Sequence, residues 1–328
     1  MYITLITMAA SVLSAQNISP PPESNPAFLP IECVAVSETS VDNLLNRIAP
    51  ADPEIVEIFG GTGASDISDH QLTPFEGALL REVLRELPQL HRGILQRHLR
   101  KLSFLDLEPG SGSALTRLVE TDGGPAQFDI TLKASLLGDS LSDFLNTKER
   151  RLFEEDGSGF VVSFDAGDAD ALTYILMHEA SHMVDQVMGL TGGPENAFVR
   201  GIWEGNRELA HPFADSLAAQ TPFRRQPAIP ARYAPAYYES LRNSPFVSFY
   251  ATAAAPEDLA ELLAWQQLRA RYDEHLTLKV SDRAGLTLFE YNPLEAAAVK
   301  ARFSQVGALL ERYENDCAGV GAVPLRRP

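Results

Sequence analysis

Two histidines and a glutamate in the pentapeptide HEASH, His178 to His182, have the residue types and spacing for metal-assisted hydrolysis. On a helix turning about 100° per residue, His178 and His182 stand about 40° apart on one face and one turn apart in height. Both imidazoles can then reach a single ion. Glu179 falls at the edge of that face, where it can hold a water on the ion and take its proton without being a ligand.

The stretch that must carry these groups is Thr173 to Leu190, TYILMHEASHMVDQVMGL. Leu172, Leu176, Met183, Val187 and Leu190 form an apolar stripe centred away from the histidines. This predicts a helix anchored in a core, with its imidazoles facing a cleft. The alternative is a buried helix whose histidines are satisfied by backbone carbonyls. Burying them unpaired costs roughly 2 to 7 kcal/mol per group, which favours a metal.

A catalytic zinc takes three protein ligands and a water, so a third ligand must come from elsewhere. Asp185, Glu204, His211, Glu257 and Glu261 are the candidates. Asp185 shares the histidine face, but three ligands on one helix do not surround a tetrahedral ion. The stretch Ser248 to Trp265, SFYATAAAPEDLAELLAW, is the stronger source. Pro256 suits the first turn of a helix, and Glu257 and Asp258 sit where the helix dipole favours acids. Glu257 and Glu261 stack on one face, a spacing that is mildly repulsive unless a cation lies opposite. A zinc ion on Glu257, with Glu261 taking an imidazole N–H, supplies that cation.

HEASHMVD, followed by Tyr250, Glu257 and Glu261, resembles the catalytic domain of the anthrax lethal factor family, a branch of the gluzincins. That family pairs HExxHxxD with a tyrosine seven residues before the ligand glutamate and a second glutamate four residues after it. The resemblance in element order runs from Thr73 to Trp265, and only the two short motifs are specific. It implies a Zn2+ held by His178, His182 and Glu257, with Glu179 as general base and Tyr250 as the phenol facing the scissile carbonyl. Glu261 and Asp185 would stand behind the ligands. Tyr237 and Tyr238 are reserve candidates for the phenol. The implied activity is a zinc-dependent endopeptidase acting on a protein or peptide substrate.

The elements around the motif read as α+β and mostly helical. Thr73, Pro74 and Glu76 form a capping box that opens a long helical pattern, bent near Pro88 and resumed to Leu99. Lys101 to Leu107, Ala126 to Leu132 and Gly159 to Phe164 read as short strands, and Leu136 to Glu155 as a helix. A small mixed sheet would thus lean on the HEASH helix. Ala126 to Leu132 is the expected open edge for a substrate strand. Residues 191–235 read as an irregular wall with one helix between Gly205 and Ala219. Helices over Pro256 to Leu276 and Pro293 to Tyr313 close the chain.

Residues 1–15 carry a short apolar run and small residues, as in a secretory signal, but lack an early Lys or Arg. Cleavage after Ser14 or Ala15 is the expectation, and a buried first helix the alternative. Residues 16–72 form a Pro-rich tether with short helices over Val41 to Phe59, and residues 73–318 a zincin-like catalytic domain. A secreted or periplasmic location follows. The two cysteines, Cys33 and Cys317, would pair in an exported protein and stay thiols in the cytosol. A net charge of −17 argues against nucleic acid, and no run is long enough to span a membrane. Two other readings remain: a zinc-containing but catalytically inactive extracytoplasmic binding module, and a metal-free helical scaffold.

Overall fold

The computed structural model describes residues 3–6, 33, 38–61, 63–64, 66–108, 111–119, 123–193, 195–272 and 276–318. The fold is α+β. In chain order the elements begin with β1 (Ile3–Ile6), α1 (Glu38–Leu45), α2 (Pro53–Gly61), β2 (Ser68–Asp69), α3 (Pro74–Glu86) and α4 (Gln89–His98). Then come β3 (Leu99–Asp106), β4 (Ala114–Val119), β5 (Gln127–Lys133), α5 (Leu141–Arg150), β6 (Phe153–Glu154), β7 (Val161–Asp165) and α6 (Ala171–Met188). The chain closes through β8 (Ile229–Pro230), α7 (Ala234–Arg242), α8 (Ala255–Tyr272), β9 (Thr277–Ser281), β10 (Thr287–Tyr291) and α9 (Ala297–Cys317).

The larger sheet has the order β1-β4-β5-β3-β2. Its β3–β5 pair is parallel and the other pairs are antiparallel, so the sheet is mixed. A second sheet, β10-β9-β7, is antiparallel. One apolar core runs from the capping-box helix α3 through the larger sheet and α6 to α8 and α9. Trp265 and Tyr174 are among its largest fully buried side chains, and their ring centroids are 5.1 Å apart. That contact locks α8 to α6.

The expected capping box forms: the Thr73 hydroxyl accepts from the Glu76 N–H, and the Glu76 carboxylate accepts from the Thr73 N–H at 2.7 Å. Proline ends that helix more sharply than a bend, because α3 stops at Glu86 and α4 starts afresh after Pro88. Three expectations are corrected. Ala126 to Leu132 is no open edge, since β5 pairs with β3 on one side and β4 on the other. The helix expected between Gly205 and Ala219 is replaced by turns and two 3-10 segments, Phe213–Asp215 and Leu217–Ala219. The irregular wall ends earlier than residue 235, because Pro235 sits in the first turn of α7.

Ile3–Ile6 pairs along β4, while the rest of the signal-like segment, with its cleavage point, and the tether over Asn17 to Pro30 lie outside the described residues. Cys33 and Cys317 are joined in a disulfide, which fastens the chain before α1 to the end of α9. Among the described residues, no helix is long and apolar enough to cross a membrane.

Candidate metal centre

Helix α6 is fixed at both ends by its own sequence. Asp170 caps it, accepting from the Thr173 N–H at 2.6 Å, and Gly189 ends it at φ 66°, where a side chain would be strained. The Gly189 N–H reaches the Asp185 carbonyl at 2.7 Å. Between these caps nearly every side chain is buried, and Val187 of the expected stripe is only partly so. The helix is not the half-exposed amphipath that the apolar stripe predicts. Helix α8 lies across its histidine face, and α4 and β4 cover other sides.

Helix α8 enters the site through three acids, of which Glu257 and Glu261 meet the two nitrogens of the same imidazole, His178. Asp258 forms a buried ion pair with Arg302 of α9 at 2.7 Å and accepts from the Trp203 indole at 2.9 Å. That anchor sets the first turn of α8. Glu257 Oε2 then lies 3.1 Å from His178 Nε2 and 3.4 Å from His182 Nε2, and the two Nε2 atoms are 3.1 Å apart. Ligand atoms about 2.0–2.1 Å from a tetrahedral ion stand about 3.3 Å from one another, so the three atoms have the spacing of one face of such a shell. His178, His182 and Glu257 could therefore hold a metal ion.

Glu261, one turn further along α8, stands behind His178. Its Oε1 lies 3.1 Å from His178 Nδ1, close enough for an ion pair though outside hydrogen-bond alignment. The Tyr174 hydroxyl donates to the same oxygen, and the Ser248 hydroxyl donates to Oε2 at 2.6 Å. Burial would raise the Glu261 pKa, but the charge of Lys148 and its contact with His178 hold it at about 2. Asp185 accepts from the N–H and hydroxyl of Thr191 at 2.8 and 2.6 Å, and its charge bears on His182.

Glu179 is fully buried beside the histidines. Its Oε2 accepts the Thr116 hydroxyl of β4 at 2.6 Å, while its Oε1 has no partner among the described residues. Burial raises its pKa against the pull of His182, His178 and Thr116. Glu257 responds oppositely: burial would raise it, but the charges and hydrogen bonds of His182 and His178 hold it far below the usual carboxylate range. For His178, burial is outweighed by Glu257 and Glu261, which raise it to about 9. A proton here does the work that a bound cation would do.

Tyr250 opens a 3-10 turn, Tyr250–Thr252, just before α8. Its ring centroid is 5.9 Å from that of His178, and its hydroxyl bonds toward Glu257. The reserve tyrosines lie elsewhere. Tyr238 donates its hydroxyl to Glu149 at 2.9 Å, and Tyr237 packs at the edge of the second apolar cluster. Trp203 and Phe213, which would signal a plugged site if they lay on the ion, both pack on Phe246. The site is nevertheless closed. His178 and Glu179 are 0% exposed, His182 2% and Glu257 8%.

The sequence reading missed Thr116, Tyr174, Ser248 and the Asp258–Arg302 pair. Tyr174 carried a usable signal, since it precedes His178 by one helical turn and so shares its face. Thr116 was hidden with β4, whose ALTRLV alternates only weakly between Gly- and Ser-rich flanks. No family model, no curated protein and no solved structure matches this chain.

Proposed function

We propose that this chain is a zinc-dependent endopeptidase with a zincin-like domain of the lethal factor type. The observation that carries the reading is the convergence of His178, His182 and Glu257 beside a buried glutamate with one unpartnered oxygen. Imidazole nitrogens and a carboxylate suit zinc, which in such a site acts as a Lewis acid and acidifies water to a pKa of about 7. Glu179 Oε1 takes the proton of the attacking water, with Thr116 fixing the other oxygen. Tyr250 donates its phenol to the oxygen on which charge develops. Glu261, Tyr174 and Ser248 keep the His178 ring from turning.

The strand that carries Thr116, β4, lies beside Glu179, and the sheet edge next to it is β1. We assign the substrate strand to the side of β4 where Ile3–Ile6 pairs in the structure. The disulfide supports a secreted or periplasmic location, since such bonds persist in oxidising compartments.

One observation favours a second reading. Near-complete burial of both imidazoles and Glu179 suits a zinc-containing, catalytically inactive extracytoplasmic module. Zinc content and casein cleavage decide between the two. The endopeptidase holds about one zinc per chain and cleaves casein, and Glu179→Gln keeps the zinc while losing about 1000-fold or more in rate. Stoichiometric zinc with no cleavage by the parent protein supports the inactive module.

A further inference from the structure

Lys148 on α5 is buried beside groups that lie far from it in sequence, Tyr250 of the candidate metal centre among them. Its ammonium stands 4.1 Å from the Tyr250 ring centroid and 5.7 Å from that of Phe223. Those two rings meet edge to face at 5.1 Å. Lys148, Glu149, Ser248 and Glu261 share the wall of one cavity. A buried ammonium persists only where its charge is answered, and here two kinds of group answer it. The ring faces supply the negative side of their quadrupoles, and the carboxylate of Glu261 supplies a full charge.

We infer that Lys148 is a positioning residue, whose ammonium seats the Tyr250 ring and balances Glu261 so that the phenol and the His178 imidazole are held together. The inference rests on reading Tyr250 as the phenol that meets the substrate carbonyl. Glu261 grips His178, and Tyr250 lies against the same imidazole. One cation seated on the Tyr250 ring, with its charge bearing on Glu261, therefore links the group behind the ligand to the group in front of it. A neutral side chain of similar length, such as methionine, would fill the space. It would remove one of the charges that hold the Glu261 carboxylate ionised and leave the ring free to tilt.

The test is a double-mutant cycle with a structural readout beside it, both on the full zinc-loaded chain. In peptide hydrolysis, Lys148→Met lowers kcat by about tenfold or more with KM and zinc affinity little changed, and Lys148→Arg restores most of the rate. Tyr250→Phe costs about 100-fold in the parent but only a few-fold in the Lys148→Met background, because the phenol is already misplaced. In NMR spectra of protein labelled at lysine Cε, one of the five lysines shows an upfield ring-current shift that Tyr250→Leu largely removes. Additive rate losses, or the absence of that shift, overturn the inference. If the parent does not hydrolyse peptides but the shift is present and lost in Tyr250→Leu, the endopeptidase reading fails and the seating of Tyr250 by Lys148 stands.

Discussion

The Thr116 hydroxyl donates to Glu179 Oε2 at 2.6 Å and also lies 3.2 Å from the Glu179 carbonyl. One strand residue thus fixes both the carboxylate and the helix turn that bears it. The unpartnered Oε1 is left as the only oxygen of that carboxylate with room for a proton from outside.

Thr116→Val keeps the shape and removes the donor. A buried acceptor left without its partner costs about 1–3 kcal/mol, so the melting temperature falls modestly. The Thr116 bond is one of the forces that lower the Glu179 pKa against burial, so its loss raises that pKa further. The acid limb of the rate profile therefore moves to higher pH while zinc content is unchanged. A profile that coincides with the parent's removes Thr116 from the mechanism.

Zinc uptake should be read as an exchange of protons for metal. In the ion-free protein His178 is raised from 6.5 to about 9 by Glu257 and Glu261, which outweigh burial. Its protonated form therefore stabilises the fold fully below pH 6.5, and that contribution is lost as pH rises through about 9. Ion-free protein should melt at steadily lower temperature across that interval, and zinc-loaded protein should not. Titrating zinc at pH 7 in buffers of different ionisation enthalpy should show about one proton released per ion. Uptake without proton release would mean that the imidazole is already neutral.

The candidate ligands were legible because a single helix turn converts sequence spacing into distance. His178 and His182 are one turn apart, and so are Glu257 and Glu261, whatever packs around them. The choice of Glu257 as the third partner, made on helix-start chemistry and a family pattern, is the one that the geometry brings to the imidazoles. The sheet was harder. Strand β5 was found by its alternation, but its neighbours depend on pairings across many residues, so its place inside the sheet was invisible. The same limit hid Thr116 and Arg302, which meet Glu179 and Asp258 only after the chain has folded. The cleft was mispredicted for a related reason. An apolar stripe says which face must be buried, and nothing in it says that α8 and Tyr250 will close over the polar face as well.

The pairing of Ile3–Ile6 with β4 puts Thr4 opposite Thr116. In an antiparallel pair, one of any two consecutive residues turns its N–H toward its neighbour. The double substitution Thr4→Pro with Leu5→Pro therefore breaks the pairing whichever it is. In the full-length chain, the edge-facing amides of β4 should then exchange hydrogen about tenfold faster or more. Peptide cleavage should rise as the edge opens to an added strand. Unchanged exchange in β4 would mean that this edge is not held by the first residues.

Glu149 offers a stability test away from the candidate ligands. Burial raises its pKa to about 7, with Lys148 and the Tyr238 hydroxyl opposing that rise. A raised carboxyl helps the folded state fully below its ordinary value of 4.5, and that help drains away as pH climbs through about 7. At about 1.36 kcal/mol per pKa unit, the loss amounts to roughly 3 kcal/mol. Glu149→Gln cannot ionise, and its carbonyl can still accept from Tyr238, which bonds Glu149 at 2.9 Å. Thermal melts from pH 4.5 to 8.5 should therefore decline less steeply for the variant than for the parent, with the two curves diverging between about pH 5 and 7. Parallel curves across that range would show that Glu149 is ionised in the fold at every pH tested and that Lys148 answers two carboxylates, not one.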